Sequence, residues 1–268
     1  MSTLFCTLER HNAMRILAVG DVTGDCGLEF LRANLRYLIE DEQIDFCIVN
    51  GENASGRNGI TPHEYDIITD CGANVITLGN HSFDRKEVRN ILGNSDIIRP
   101  ANYPDAPGKG STILRCGDKK IGVINLVGRI NLHNVDCPFR TADKEIENIK
   151  DECDIIIVDF HAEVTSEKLA FGFYLDGRVT AVFGTHTHVQ TADERVLPRG
   201  TGYISDLGMT GVINSALGVD KDIIIERMLT SMPVKFQPAQ GKSMLCGAIF
   251  EIDDNTNKCL GVKRVHIE

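Results

Sequence analysis

The chain has 268 residues, 42% hydrophobic and 25% charged, with a formal net charge of −10. That is globular composition with length enough for a large core, and its acidic balance argues against an extended nucleic-acid or anionic-membrane surface. Nine cysteines, an odd number with no C-x-x-C, argue against a disulfide framework or a thiolate zinc site and fit free thiols in a reducing cytoplasm.

Residues 1–13 lack a long apolar stretch and include Glu9 and Arg10, so they do not read as a signal peptide. They are expected to be an extension outside the fold, with residues 14–268 forming a single domain. No apolar run reaches bilayer-spanning length, so no membrane partner is expected. Residues 15–20 (RILAVG) predict a buried strand with Asp21 at its carboxyl end. Residues 24–41 space Leu28, Leu31, Leu35, Leu38 and Ile39 along one face of a helix.

Residues 45–50 predict a second strand, and Glu52 and Asn53 follow it in a Gly-rich loop over 51–59. The loop lacks the G-K-[ST] of a phosphate-binding P-loop. Thr61-Pro62-His63-Glu64 predicts a helix start, with His63 exposed in its first turn and the helix running to Cys71. Residues 74–78 read as a third strand, with Asn80 and His81 just beyond it. Asp84 reads as the cap of a helix over 85–92. The Pro/Gly-rich stretch 100–110 predicts a long surface connection, and 111–116 with 120–127 predict a hairpin.

Residues 131–140, which contain His133, read as irregular, and 141–152 as a surface helix. Residues 154–160 (DIIIVDF) form a strongly apolar strand running into His161. Glu163 is a further polar residue just beyond that strand, or else starts, with Thr165, the next helix over 166–174. A further apolar strand, 179–183, leads into GTHTHVQT at 184–191. On an extended backbone alternate side chains share a face, so His186 and His188 would aim both imidazoles into one pocket. Asp206 fits a turn, 220–232 a helix, and 244–252 with 260–267 a closing antiparallel pair in which His266 is structural.

Five strand ends, taken in chain order, thus carry Asp21, Glu52 with Asn53, Asn80 with His81, His161, and His186 with His188. Turns and caps have no need of histidine or of an acid after the strand. Nitrogen and oxygen donors without thiolates suit manganese, iron, cobalt or zinc better than calcium. There are more donors than one ion takes, which implies two ions close enough for one carboxylate to bridge.

The order strand-Asp, strand-acid, G-N-H, lone His and G-x-H-x-H resembles the calcineurin-like metallophosphoesterases. The usual D-x-H is Asp21-Val22-Thr23 here, and the usual G-D-x-x-D is Gly51-Glu52-Asn53. With GTHTHVQTADE and YISDLGMTG, these departures make the chain similar to the YmdB-like bacterial phosphodiesterases. The resemblance implies a four-layer α/β/β/α sandwich with two divalent ions per chain, iron or manganese first and zinc or cobalt after them. It implies that Glu52 bridges the ions, that Asp21, Asn53 and His188 complete one site, and that Asn80, His161 and His186 complete the other. His81 would be a proton donor. The implied reaction is hydrolysis of a small phosphodiester, 2′,3′-cyclic nucleotides first, by attack of a metal-bridged hydroxide. A phosphomonoesterase or nucleotidase on the same centre is the alternative, and a metal- and nucleotide-binding regulator without turnover is the rival from another class. Homo-oligomers fit the resemblance, and no residue pattern sets a stoichiometry.

Overall fold

Strands that are apolar on both alternating faces need cover on both sides. The computed structural model, which describes residues 13–56 and 58–268, supplies that cover with two sheets packed face to face and helices outside each. In chain order the first half runs β1 (Ala13–Val19), β2 (Asp21–Val22), α1 (Gly24–Asp41), β3 (Phe46–Asn50), α2 (Pro62–Asp70), β4 (Val75–Thr77), a 3-10 helix (Lys86–Asn90), β5 (Ile97–Ile98), β6 (Ser111–Cys116) and β7 (Lys119–Val127). The second half runs α3 (Pro138–Ile149), β8 (Ile155–His161), α4 (Thr165–Leu175), β9 (Ala181–Thr185), β10 (Arg195–Val196), β11 (Gly202–Ile204), β12 (Met209–Val212), α5 (Lys221–Thr230), β13 (Ser243–Asp253) and β14 (Cys259–Ile267).

The first sheet has the order β2-β12-β13-β1-β3-β4-β5, with β14 paired to β13, and the second the order β10-β11-β9-β8-β7-β6. Side-chain alternation sorts each strand between two cores. Leu17 and Val19 of β1 face α1 and α2, whereas Ile16 and Ala18 face the other sheet. Ile155 and Ile157 of β8 meet that central layer, while Ile156, Val158 and Phe160 pack under α3 and α4. The result is the expected α/β/β/α sandwich. Strands β1, β3, β4 and β5 run parallel, as do β7, β8, β9 and β11. Each parallel set brings its carboxyl ends to one edge of its sheet, where open α/β sheets bind ligands.

Most predicted elements appear within a residue or two. Helix α1 has the predicted bounds, and α2 begins with a full capping box between Thr61 and Glu64. Residues 1–12 of the expected extension lie outside the described residues, and Ala13 already pairs with Asp253 in the first sheet. Helix α3 starts three residues before the predicted position, because Pro138 takes its first turn. The stretch after residue 84 is a 3-10 helix without a side-chain cap. Asp84, expected as that cap, is instead bonded to His81 and Asn58. Among the described residues no helix is long and apolar enough to cross a membrane, and the cysteines are free.

Candidate metal centre

The two parallel edges meet, and the predicted residues meet with them. Three lone-pair-bearing atoms crowd His161 Nε2: Glu52 Oε1 at 2.9 Å, Asn80 Oδ1 at 2.9 Å and His186 Nδ1 at 3.0 Å. One ring nitrogen can satisfy at most one of them with a proton. A cation among these atoms would satisfy all of them at once. One ligand atom each from Glu52, His161 and His186 lies within 4.8 Å of the others. Gly79 is required here, because a Cβ at that position would collide with Glu52 Oε2 and His161 Nε2.

Beside this group lies the second half of the set. Asp21 Oδ1 is 3.8 Å from His188 Nε2 and 3.9 Å from His161 Nδ1. It is fully buried without a hydrogen-bond partner, a costly state for a carboxylate oxygen unless a cation faces it. Asn53 Nδ2 lies 3.1 Å from Glu52 Oε1 and 3.2 Å from His188 Nε2. A half-turn of that carboxamide exchanges Nδ2 for Oδ1, the atom a cation takes. The donor set therefore fits a resident metal.

Electrostatics tie the cluster together. Burial alone would raise the Glu52 carboxyl, but the charge and hydrogen bond of His161, with help from His81, hold it at about 2. Burial would lower His161, yet Glu52, Asp21 and Asp159 push it up to about 9. Burial raises Asp21, against the pull of His188 and His161. Burial and the neighbouring His161 press His186 down to about 3, so its ring is neutral.

The two histidines of the H-x-H motif do not converge by strand alternation. Strand β9 ends at Thr185, and His186 and His188 have φ of 99° and 63°. A left-handed turn aims them inward. A buried ion pair sits beneath it: Lys168 Nζ bonds Thr185 O at 2.8 Å and Asp206 Oδ2 at 2.5 Å, and Asp206 Oδ2 accepts from Thr187 N–H at 3.0 Å. Asp206, expected as a simple turn residue, is half of that pair.

Further partners fix each imidazole. Glu163 Oε2 lies 3.0 Å from His186 Nε2, leaving Nδ1 to face the cluster. The Leu217 carbonyl is 3.0 Å from His188 Nδ1, leaving Nε2 inward. Thr185 Oγ1 is 2.9 Å from His161 Nδ1 and donates to Asp159 Oδ1 at 2.7 Å. Such partners set tautomer and orientation. Sequence reasoning missed all of them. Only Asp159 carried a signal, as an acid inside a strand apolar on both faces. Burial raises it to about 6 against the pull of His161 and three hydrogen-bonded side chains.

His81 stands apart from the ligand group. Its backbone N–H donates to Glu52 Oε2 at 3.1 Å, and its Nδ1 lies 2.8 Å from Asp84 Oδ2. Its Nε2 is left for other work at the cavity that opens above the cluster, a space of about 510 Å³. The histidines set aside from the sequence lie elsewhere: His63 is exposed in the first turn of α2, His133 bonds Tyr103, and His266 bonds Glu268.

Residues 17–265 match the family model described as YmdB-like protein. The chain is 46% identical over 256 residues to the 2′,3′-cyclic-nucleotide 2′-phosphodiesterase of Bacillus subtilis (strain 168), covering 95% of this chain and 97% of that one. The crystal structure of a novel phosphatase from Mycoplasma pneumoniae superposes with a TM-score of 0.90 at 34% identity, covering 96% of this chain and 94% of that one. The Haemophilus influenzae NAD nucleotidase superposes at 0.60 with 13% identity, over 95% of this chain and 55% of that one, a likeness of fold alone.

Proposed function

The chain belongs to the YmdB-like family, a family of phosphodiesterases and phosphatases, and on that premise we propose that it hydrolyses 2′,3′-cyclic nucleotides with two divalent ions. The observation that carries this reading is the crowd of acceptor atoms around His161 Nε2 beside the orphaned Asp21 Oδ1. In the proposed assignment Glu52 would serve both ions, with Asp21, Asn53 and His188 holding one and Asn80, His161 and His186 the other. Iron or manganese suits this mixture of imidazole, carboxylate and carboxamide, with zinc and cobalt behind them. Bound there, the ions would neutralise phosphoryl oxygens and lower the pKa of a water toward about 7.

The chain's own groups do the rest. Burial of Asp21, Glu52 and His161 at the cavity floor strengthens the charge interactions there. Glu163 and Leu217 hold His186 and His188 in the ligating tautomers. Asp84 fixes His81 through Nδ1, so that Nε2 carries the proton for the departing ribose oxygen. An imidazole suits that role because its ordinary pKa lies near neutral pH.

The test is one preparation assayed for both metal and turnover. Iron, manganese and zinc are quantified per chain, and 2′,3′-cAMP hydrolysis is followed before and after chelation. The expected result is about two ions per chain, with turnover lost on chelation and restored by manganese or iron. Metal without turnover on any phosphodiester would overturn the proposal.

A further inference from the structure

The cavity above the cluster has a second wall of different chemistry. Leu217, Val219, Phe236 and Pro238 line it together with Glu52 and His186, and all four come from the segment between β12 and β13. The wall is held in place. Asp220 N–H donates to Gln237 O at 2.9 Å and Ala239 N–H to Gly218 O at 2.9 Å, and Val219 bridges both Ala216 and Pro238. Through the Leu217 carbonyl the same segment holds His188. It is also seated on Thr23: a Cβ at Gly218, which has a φ of 88°, would collide with Thr23 Cγ2. Gly218 thus packs directly on Thr23, the residue that stands where the D-x-H motif has histidine.

An aliphatic and aromatic wall offers nothing to a phosphate. It does offer a face to a flat ring. Phe236 is half-buried, and the exposed Arg227 guanidinium makes a cation–π contact with it, 4.9 Å from the ring centroid. Asn58 and Gln237 add amide donors and acceptors. One cavity thus joins a cation-holding floor to an apolar rim, which suits a ligand with an anionic end and a heterocyclic end. Resting on the phosphodiesterase reading, we infer that Phe236 is the stacking platform for the nucleobase of the bound nucleotide, and so the residue by which the site tells a nucleoside cyclic phosphate from a base-free diester. Purines offer more stacking area than pyrimidines and are the better ligands.

Two substrates and two variants test this. Glycerol 1,2-cyclic phosphate has the same five-membered cyclic diester as 2′,3′-cAMP and no base. Phe236→Ala is expected to lower the ratio of kcat/KM for 2′,3′-cAMP over glycerol 1,2-cyclic phosphate by about tenfold, the low end of what base stacking supplies, and Phe236→Tyr to keep the wild-type ratio. Calorimetric titration of the metal-loaded protein with adenosine 3′-monophosphate and with inorganic phosphate gives a readout free of turnover. The nucleotide's affinity should fall about tenfold in Phe236→Ala relative to that of phosphate. Proportional loss on both substrates, or an unchanged ratio with unchanged nucleotide affinity, would overturn the inference. A wild-type protein that cleaves neither diester yet binds the nucleotide through Phe236 would sink the proposed reaction and leave the platform standing.

Discussion

The floor of the site and its outer wall are built on opposite plans. Asp21, Glu52 and His161 on the floor are fully buried, each within or directly after a strand of a multi-stranded sheet. The segment that forms the wall includes α5, which buries none of its residues and leaves Met228 and Leu229 78% and 81% exposed. The floor residues sit on buried sheet strands, a scaffold that suits donor atoms needing a tight geometry. The wall is a surface connection, where the proposed selection among ligands tolerates looser geometry.

If the floor acts as one unit, Glu52→Gln should do the greatest damage. It would halve the ligand capacity of a carboxylate proposed to serve both ions, so bound metal measured by elemental analysis should fall at both sites together. Activity should drop by about a thousandfold or more, matching the several kcal/mol that metal ions supply to phosphoryl transfer. Loss of one ion with the other retained would separate the two halves of the centre. Asp84→Asn comes next. Metal content should hold while kcat falls by about ten- to a hundredfold, part of the roughly 10²–10⁴ that a positioned acid contributes. An unchanged kcat with a poor leaving group would remove His81 from the reaction.

Smaller effects sharpen the same contrast from the rim. Glu163→Gln removes the carboxylate behind His186 and should weaken metal affinity about tenfold, the lower end for such outer partners, as read by competition with a chelator. Farthest from the chemistry is Asp193, which accepts from Ser205 N–H at 3.1 Å, Ser205 Oγ at 2.5 Å and Thr191 Oγ1 at 2.7 Å. Burial would raise its pKa, but these bonds outweigh burial and hold it below the ordinary carboxylate value. Its contribution is therefore full above the unfolded pKa and lost as pH falls through the lower folded value. Asp193→Asn should cost about 1 kcal/mol at neutral pH. Thermal melts should show the gap to wild type closing as the pH falls below about 4.

Much of this floor was legible in the sequence because parallel strands buried on both faces read as continuous apolar runs. The residue after such a run is forced to a sheet edge. Asp21, Glu52, Asn80 and His161 were placed by that logic alone. The motif at 186–188 was legible as chemistry and not as geometry, since a left-handed turn held from below by Lys168 and Asp206 leaves no local trace. Those two residues are 38 positions apart, and nothing in either one's neighbourhood marks it as half of a buried pair. Asp84 looked like a cap because an acid before a helical stretch serves caps and histidines equally well. Phe236 had no signal, because a single aromatic in a polar loop acquires meaning only from the cavity it lines.

Strand β1 lies between β3 and β13, and β2 pairs with β12. Asp21, the first proposed ligand along the chain, is thus seated by strands made near the end of synthesis, and it accepts from the His186 backbone across 165 positions. As the protein is made, a nascent chain that already displays Asp21, Glu52 and Asn80 has no closed pocket in which to hold an ion. Contacts this distant are late and entropically costly to close. The pocket is therefore completed last, when the C-terminal strands close around Asp21.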